Sequence, residues 1–263
     1  MNLNRTPSPP VTALLTLAAC AVLVHGPAHA DGPSGPAGDD KSQWGLGLAV
    51  MSEASPYRGV DNKTRVLPVI TFENRWVRFF GPSLELKLGQ AGPAHFSLLA
   101  TYSDNGYKPG DSTTLAGMAE RKSGFWLGAR AALPTEWANL SATWSADASG
   151  NSKGQRFSLS AERRFALGDV GISPRLSAHW TDSKATQYYY GVDPGEATAS
   201  RPAYRPGASV DTEVGLRLDY RLAPQQMLFA DLGVRAYGSE VKNSPLVDRS
   251  SLPEVRMGYL YRF

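Results

Sequence analysis

Chemistry in a protein needs side chains that exchange protons, attack an electrophile or hold a metal, and this 263-residue sequence is sparing with them. Of four histidines, His25 and His29 fall in an N-terminal apolar stretch, which leaves His95 and His179. A serine beside a histidine is the beginning of an acyl-transfer site, so Ser158 and Ser177 with His179 are the nucleophile and base to consider. His95 and His179 share the polar side of their segments but lie near opposite ends of them, so they are not expected to form one site. Serine is an ordinary occupant of such a face, and no catalytic residue is assigned. Cys20 is the single cysteine, and no HxxxH, CxxC or aspartate-rich calcium loop appears, so neither metal nor cofactor is expected. Asp39-Asp40 reads as an exposed pair.

The elements that would position these groups begin after an export signal. Arg5 precedes an apolar run from Val11 to Val24, and Ala28-His29-Ala30 offers an A-x-A cleavage site before Asp31. Residues 1–30 are therefore expected to be a cleaved signal peptide. Leu17-Ala18-Ala19-Cys20 would also pass as a lipoprotein box with Cys20 carrying lipid, but ordinary cleavage explains the rest of the segment and removes the only thiol. Residues 31–42 (DGPSGPAGDDKS) read as a flexible periplasmic leader. The formal charge of +3, with 27 basic against 24 acidic residues, gives no nucleic-acid footprint, and 42% hydrophobic residues argues against a disordered chain.

From residue 43 onward, segments of about ten residues alternate with a period of two, the signature of strands. In the clearest, Val210, Val214, Leu216 and Leu218 share one face, and Asp211, Glu213, Arg217 and Asp219 the other. The chain's last residues do the same: Val255, Met257, Tyr259, Tyr261 and Phe263 form an apolar face running to the end. No stretch after Asp31 approaches the twenty apolar residues a membrane helix needs.

Alternation fits a β-sandwich or a lipocalin-like barrel with its apolar face inside. It also fits a barrel turned inside out, with apolar residues against lipid and polar ones in a lumen. Three features favour the inverted barrel. Aromatics gather near segment ends. Short connections (Leu133–Glu136, Gly168-Asp169, Ala223–Gln225) alternate with long ones (Ser103–Lys122, Ser183–Gly207, Ser239–Pro253). A final aromatic strand also suits a barrel whose last strand closes on its first. The fold expected over 43–263 is an all-β transmembrane antiparallel up-and-down β-barrel. Eleven segments are countable; a break at Gly81-Pro82-Ser83 would make twelve strands, the preferred number, with ten as the alternative.

Register follows from charge. A Gly168-Asp169 hairpin sets Glu162 opposite Arg175, and a three-residue Ala223-Pro224-Gln225 turn sets Glu213 opposite Arg235 and Arg217 opposite Asp231. These lumenal charges could line a pore; the preferred reading is a mutually neutralising plug in a barrel narrower than a general porin.

Several stretches resemble the MipA/OmpV family of Gram-negative outer-membrane proteins, the MltA-interacting proteins. They are Ser55–Val60 followed by Val66–Ile70, Tyr107–Ser112, Leu115–Met118, Tyr188–Val192, Asn243–Asp248 and the closing Tyr261-Arg262-Phe263. The resemblance implies the outer membrane, its lipid and the outer-membrane barrel assembly machinery as surroundings. It further implies a scaffold between a murein lytic transglycosylase and a bifunctional peptidoglycan synthase, or a part in adhesion and in osmotic or antibiotic responses. It carries over no catalytic residue. The rival functions are a small-solute channel, a surface-binding barrel and, behind both, an outer-membrane acyl hydrolase. In the long loop, Tyr188, Tyr189, Tyr190, Arg201, Tyr204 and Arg205 suit external recognition equally as well as folding over the barrel mouth.

Overall fold

The computed structural model describes residues 42–263; the signal-peptide and leader assignments, with Cys20, lie outside the described residues apart from Ser42. The described chain rises as β1 (Gln43–Glu53) and falls as β2 (Lys63–Glu73). The short β3 (Val77–Phe80), β4 (Ser83–Ala91), β5 (Ala94–Ser103), β6 (Gly124–Pro134) and β7 (Asn139–Asp147) follow. After them come β8 (Gln155–Glu162), β9 (Phe165–Leu167) and β10 (Val170–Thr181). A helix, α1 (Ser183–Tyr190), precedes β11 (Ser209–Ala223) and β12 (Gln226–Ala236). A last short helix, α2 (Ser239–Lys242), leads into β13 (Ser251–Arg262).

Each strand pairs antiparallel with its neighbours, and β13 pairs with both β12 and β1, so the sheet closes. β8 and β9 are two parts of one stave, because both pair with β10. Twelve staves result, the even number a single-chain barrel requires. The interruption has a local cause. Pro174 on β10 faces it with a carbonyl that accepts from Arg163 N–H at 3.2 Å, but it has no N–H to return. The RWVRFFGPSLELKL stretch does divide at a turn, Gly81-Pro82, which lies between β3 and β4. Gly81 has φ 53°, a left-handed conformation that glycine adopts without strain.

Burial is inverted relative to a water-soluble barrel. On β11, Val214 is 63% exposed while its neighbour Glu213 is 9% exposed, and Asp211, Arg217 and Asp219 are buried with Glu213. Trp44, Trp76, Trp137 and Phe263 stand exposed at the end of the short turns, and Phe125 and Trp180 at the other, as interfacial girdles require. In the closing strand Val255, Met257 and Phe263 are exposed, Tyr259 and Tyr261 half-buried, and Leu260 is buried on the inner face.

One correction concerns a turn. The β11–β12 hairpin is a two-residue turn, Pro224-Gln225, with a bulge between Arg221 and Ala223, not a plain three-residue loop. The bulge restores the register, so Glu213 still lies opposite Arg235 and Arg217 opposite Asp231.

Candidate functional site

The site comprises a network of charges inside the barrel and a cap of loops over its outer mouth. The network centres on Glu213, set inward by the alternation of β11. Its carboxylate accepts from Arg175 at 3.2 Å and from Arg235 at 3.0 Å. Arg175 also reaches Asp231 at 3.6 Å and its cross-strand partner Glu162 at 3.9 Å. Arg217 stands opposite Asp231 in the ladder, but its guanidinium turns to Asp219 on its own strand, at 3.0 Å. The three anticipated pairs thus share register, while the side chains exchange partners in a wider net. Buried charges remain tolerable only when paired in this way.

His179 joins the same net. Ser158 Oγ lies 2.9 Å from His179 Nδ1, and His179 Nε2 lies 3.3 Å from a Glu213 carboxylate oxygen. The order Ser–His–Glu is that of an acyl-transfer triad, and sequence reading singled out two of its members. The rest of the machinery does not follow. Two guanidiniums already hold the carboxylate that would have to stabilise an imidazolium. Ser158 sits mid-strand between β7 and β10, where ladder bonds occupy the backbone amides an oxyanion hole would need. Ser177 bonds Ser160 at 2.8 Å instead. His95 is at the short-turn end of β5, away from His179. Among the described residues no cluster of His, Cys, Asp and Glu could hold a metal ion.

The cap is a small folded unit. Tyr57, Val60, Tyr107, Leu115, Met118, Val192 and Leu246 form a buried cluster, with Tyr190 and Tyr204 packed against it. α1 starts where Asp182 accepts from Ala185 N–H at 2.9 Å, an N-cap that turns the chain inward above β10. Gly154 allows α1 to approach, since a Cβ there would lie 2.6 Å from that of Ala185. Tyr189 then packs beside Trp126, whose ring lies 3.7 Å from the Arg156 guanidinium.

Polar bonds lock the loops to one another. Arg121 meets Glu196 at 2.8 Å and donates to the Tyr188 carbonyl at 2.7 Å. Arg201 donates to the carbonyls of Thr114, Ala116 and Glu196, tying the β5–β6 loop to the β10–β11 loop. Tyr57 donates to the carbonyls of Asn105 and Tyr189, each at 3.3 Å. Burial pushes the Tyr57 and Tyr190 phenols well above their ordinary value, and Tyr107 up to about 12. For Glu196 burial acts upward too, but the Ala119 N–H and the Arg121 guanidinium outweigh it and hold the carboxyl below its usual value.

Of the six residues considered for external recognition, Tyr188, Tyr189, Tyr190, Arg201 and Tyr204 fold into the cap, and only Arg205 is exposed. Sequence reasoning did not single out Arg121 or Glu196; nothing in their local spacing marks a pair separated by 75 residues. A signal was nonetheless present. The stretches 55–60, 107–112, 115–118, 188–192 and 243–248, quoted for their family resemblance, are the ones that supply the buried cap cluster.

The chain is similar over most of its length to one family and to several known proteins. The family model described as MltA-interacting protein MipA matches residues 46–263. The MltA-interacting protein of Escherichia coli (strain K12) is 27% identical over 255 residues, covering 95% of this chain and 98% of that protein. The outer membrane protein OmpV of Vibrio cholerae is 25% identical over 186 residues, covering 71% of this chain and 70% of that protein. Among solved structures, the NanC porin aligns with a TM-score of 0.43 at 10% identity, over 82% of this chain and 98% of that chain.

Proposed function

The chain belongs to the MltA-interacting protein MipA family of Gram-negative outer-membrane β-barrels, and on that footing we propose that it is a capped structural adaptor. It would anchor peptidoglycan-remodelling machinery, a murein lytic transglycosylase first, to the outer membrane. The observation that carries this reading is the cap. Loops that pack a cluster as dry as Leu115 and Leu246, both 0% exposed, hold the outer mouth shut instead of leaving a freely open pore. Below it, opposite charges neutralise each other between neighbouring staves on the β10–β12 side of the lumen, which disfavours a selective ion path. The relative named for interaction with MltA supports the choice of partner.

The surface facing the periplasm consists, among the described residues, of the short turns. Trp137, 75% exposed in the β6–β7 turn, is the most exposed of the tryptophans there. A specific complex usually buries ~1,200 Å² or more, so several turns must act together. Purified folded barrel, immobilised in detergent, should retain a membrane-bound lytic transglycosylase, and Trp137→Ser with changes in the neighbouring turns should weaken retention. Folded barrel that retains no such enzyme contradicts the adaptor role.

One observation favours a second reading. Two cavities of about 140 Å³ each lie inside the barrel and share Asn105, Tyr190, Arg235 and Tyr237 in their walls. Release of the cap would join them to the exterior, making a gated solute channel.

A further inference from the structure

The barrel wall is not evenly closed. β2 pairs with β1 from Lys63 to Glu73, but with β3 only from Thr71 to Glu73. The β3–β4 hairpin turns back early, level with Ile70, whose carbonyl accepts from Gly81 N–H at 3.2 Å. On the far side of that turn, Tyr102 N–H donates to the Pro82 carbonyl at 3.2 Å. Above it, the Asp104 carboxylate meets Arg65 at 3.0 Å. These four sides, the β2 edge, the hairpin turn, the end of β5 and the Arg65–Asp104 pair, frame a window in the outer half of the wall. Five residues, Val66 to Ile70, span its β2 side, about 13 Å at strand rise.

Backbone parity gives the window its chemistry. Ile70 points its carbonyl to the hairpin, and Asn74 N–H donates to the Val77 carbonyl on the same side. The alternation of an antiparallel strand therefore aims the backbone of Val66 and Pro68 into the window and that of Thr64 at its outer rim, just beyond Arg65. Among the described residues no backbone bond is made to them from that side. Pro68 occupies the central position, and proline is tolerated in a sheet where no partner strand needs its N–H. It also blunts the edge against an added peptide strand. Polar backbone at bilayer depth is costly against hydrocarbon, so the window holds water or the polar part of a ligand.

The frame is amphipathic along the membrane normal. Lys63 and the Arg65–Asp104 pair lie at the outer end; Val66, Pro68 and Ile70 face lipid below them. Behind the outer end lies one of the two cavities, to which Lys63, Arg65, Asp104 and Asn105 contribute. Five carboxylates and five cations line that cavity, so its charge is balanced.

We propose that this window is a lateral portal and head-group site for a sugar-headed amphiphile of the outer leaflet. The head enters between β2 and Asp104, bonding the backbone of Thr64 and Val66 and the Arg65–Asp104 pair, while the acyl tail remains in the bilayer against Val66, Pro68 and Ile70. A balanced lining suits a hydroxyl-rich head that donates and accepts, in preference to a bare anion. The portal opens sideways beneath the cap, so it is independent of the adaptor reading and of whether the mouth opens.

The full chain in phosphatidylcholine vesicles tests this twice. In hydrogen exchange, the Val66 amide is expected to exchange roughly a hundred-fold faster than those of Leu67 and Val69, which face β1. Equal protection of the three would show a sealed wall and overturn the proposal. In photolabelling, benzoylphenylalanine at Leu67, on the inner side of the window strand, is expected to capture an added alkyl maltoside several-fold more than at Ser141, inside β7. It should also capture it more than a fatty acid of the same chain length. Equal labelling at the two positions, or preference for the fatty acid, overturns the assignment. A variant with a longer β3–β4 hairpin inserted at Gly81-Pro82, checked by its heat-modifiable compact band, should lose both signals; persistence of labelling in that folded variant would also overturn it.

Discussion

Glu213 on β11 and Arg235 on β12 face each other directly across the strand ladder, and their side chains meet at 3.0 Å inside the barrel. The same carboxylate serves Arg175 and His179, so it is the point where three neighbouring staves are joined electrostatically. Removing it would take the acidic partner from the half-buried Arg235 and leave Arg175 only its longer contacts to Asp231 and Glu162. Glu213→Ala should therefore destabilise the barrel by about 1–3 kcal/mol. Lowered temperature at which the compact band in SDS gives way to the unfolded one would measure it; an unchanged transition would mean the network contributes little.

The lipid-facing side makes the complementary prediction. Val214 is next to Glu213 in sequence and on the opposite face. Val214→Arg should cost about 2–4 kcal/mol if that position lies near the bilayer midplane, and Val214→Leu almost nothing. Refolding titrations into lipid vesicles compare the two. Equal tolerance of Arg and Leu would contradict the inverted orientation.

Acid should loosen the cap through Glu196. Its carboxyl is held below the ordinary value, so its stabilising contribution is complete above about 4.5 and declines as pH falls through the folded value. Glu196→Gln should reproduce the acid effect at neutral pH, weakening the cap by about 1–3 kcal/mol. The readout is protease cleavage within residues 104–123, faster in both cases, with the barrel intact. Cleavage indifferent to pH and to the substitution would show that other bonds hold the loops.

Alkali should act through the tyrosines. Burial raises Tyr107 to about 12, so the folded cap keeps this phenol neutral where an unfolded chain has begun to ionise it. The contribution is complete below about 10 and fades as pH rises towards 12. Ultraviolet titration should show several late-ionising phenols, Tyr57, Tyr107 and Tyr190 among them, and one fewer in Tyr107→Phe; an unchanged number of late-ionising phenols in that variant would contradict the packing described.

The barrel was legible because period two and charge leave few choices. A slip of one residue would turn Arg217 and Arg235 towards lipid, so register could be set from Glu213 and Arg235 alone. The broken stave at Pro174 and the early hairpin at Gly81-Pro82 were harder, since proline marks an interruption without saying which neighbour is lost. The cap was least legible. Arg121 and Glu196 meet across two loops, and Tyr57, Leu115 and Leu246 form a cluster with no shared periodicity. Loop packing of this kind is written in contacts between distant segments, and a strand pattern carries no trace of it.

The most direct test is the conductance of the refolded protein in a planar bilayer. A capped adaptor should be silent at neutral pH in the wild type, while Glu196→Gln or acid should produce intermittent openings as the loops release. Steady open-pore current from wild-type protein at neutral pH would contradict the closed mouth on which the account rests.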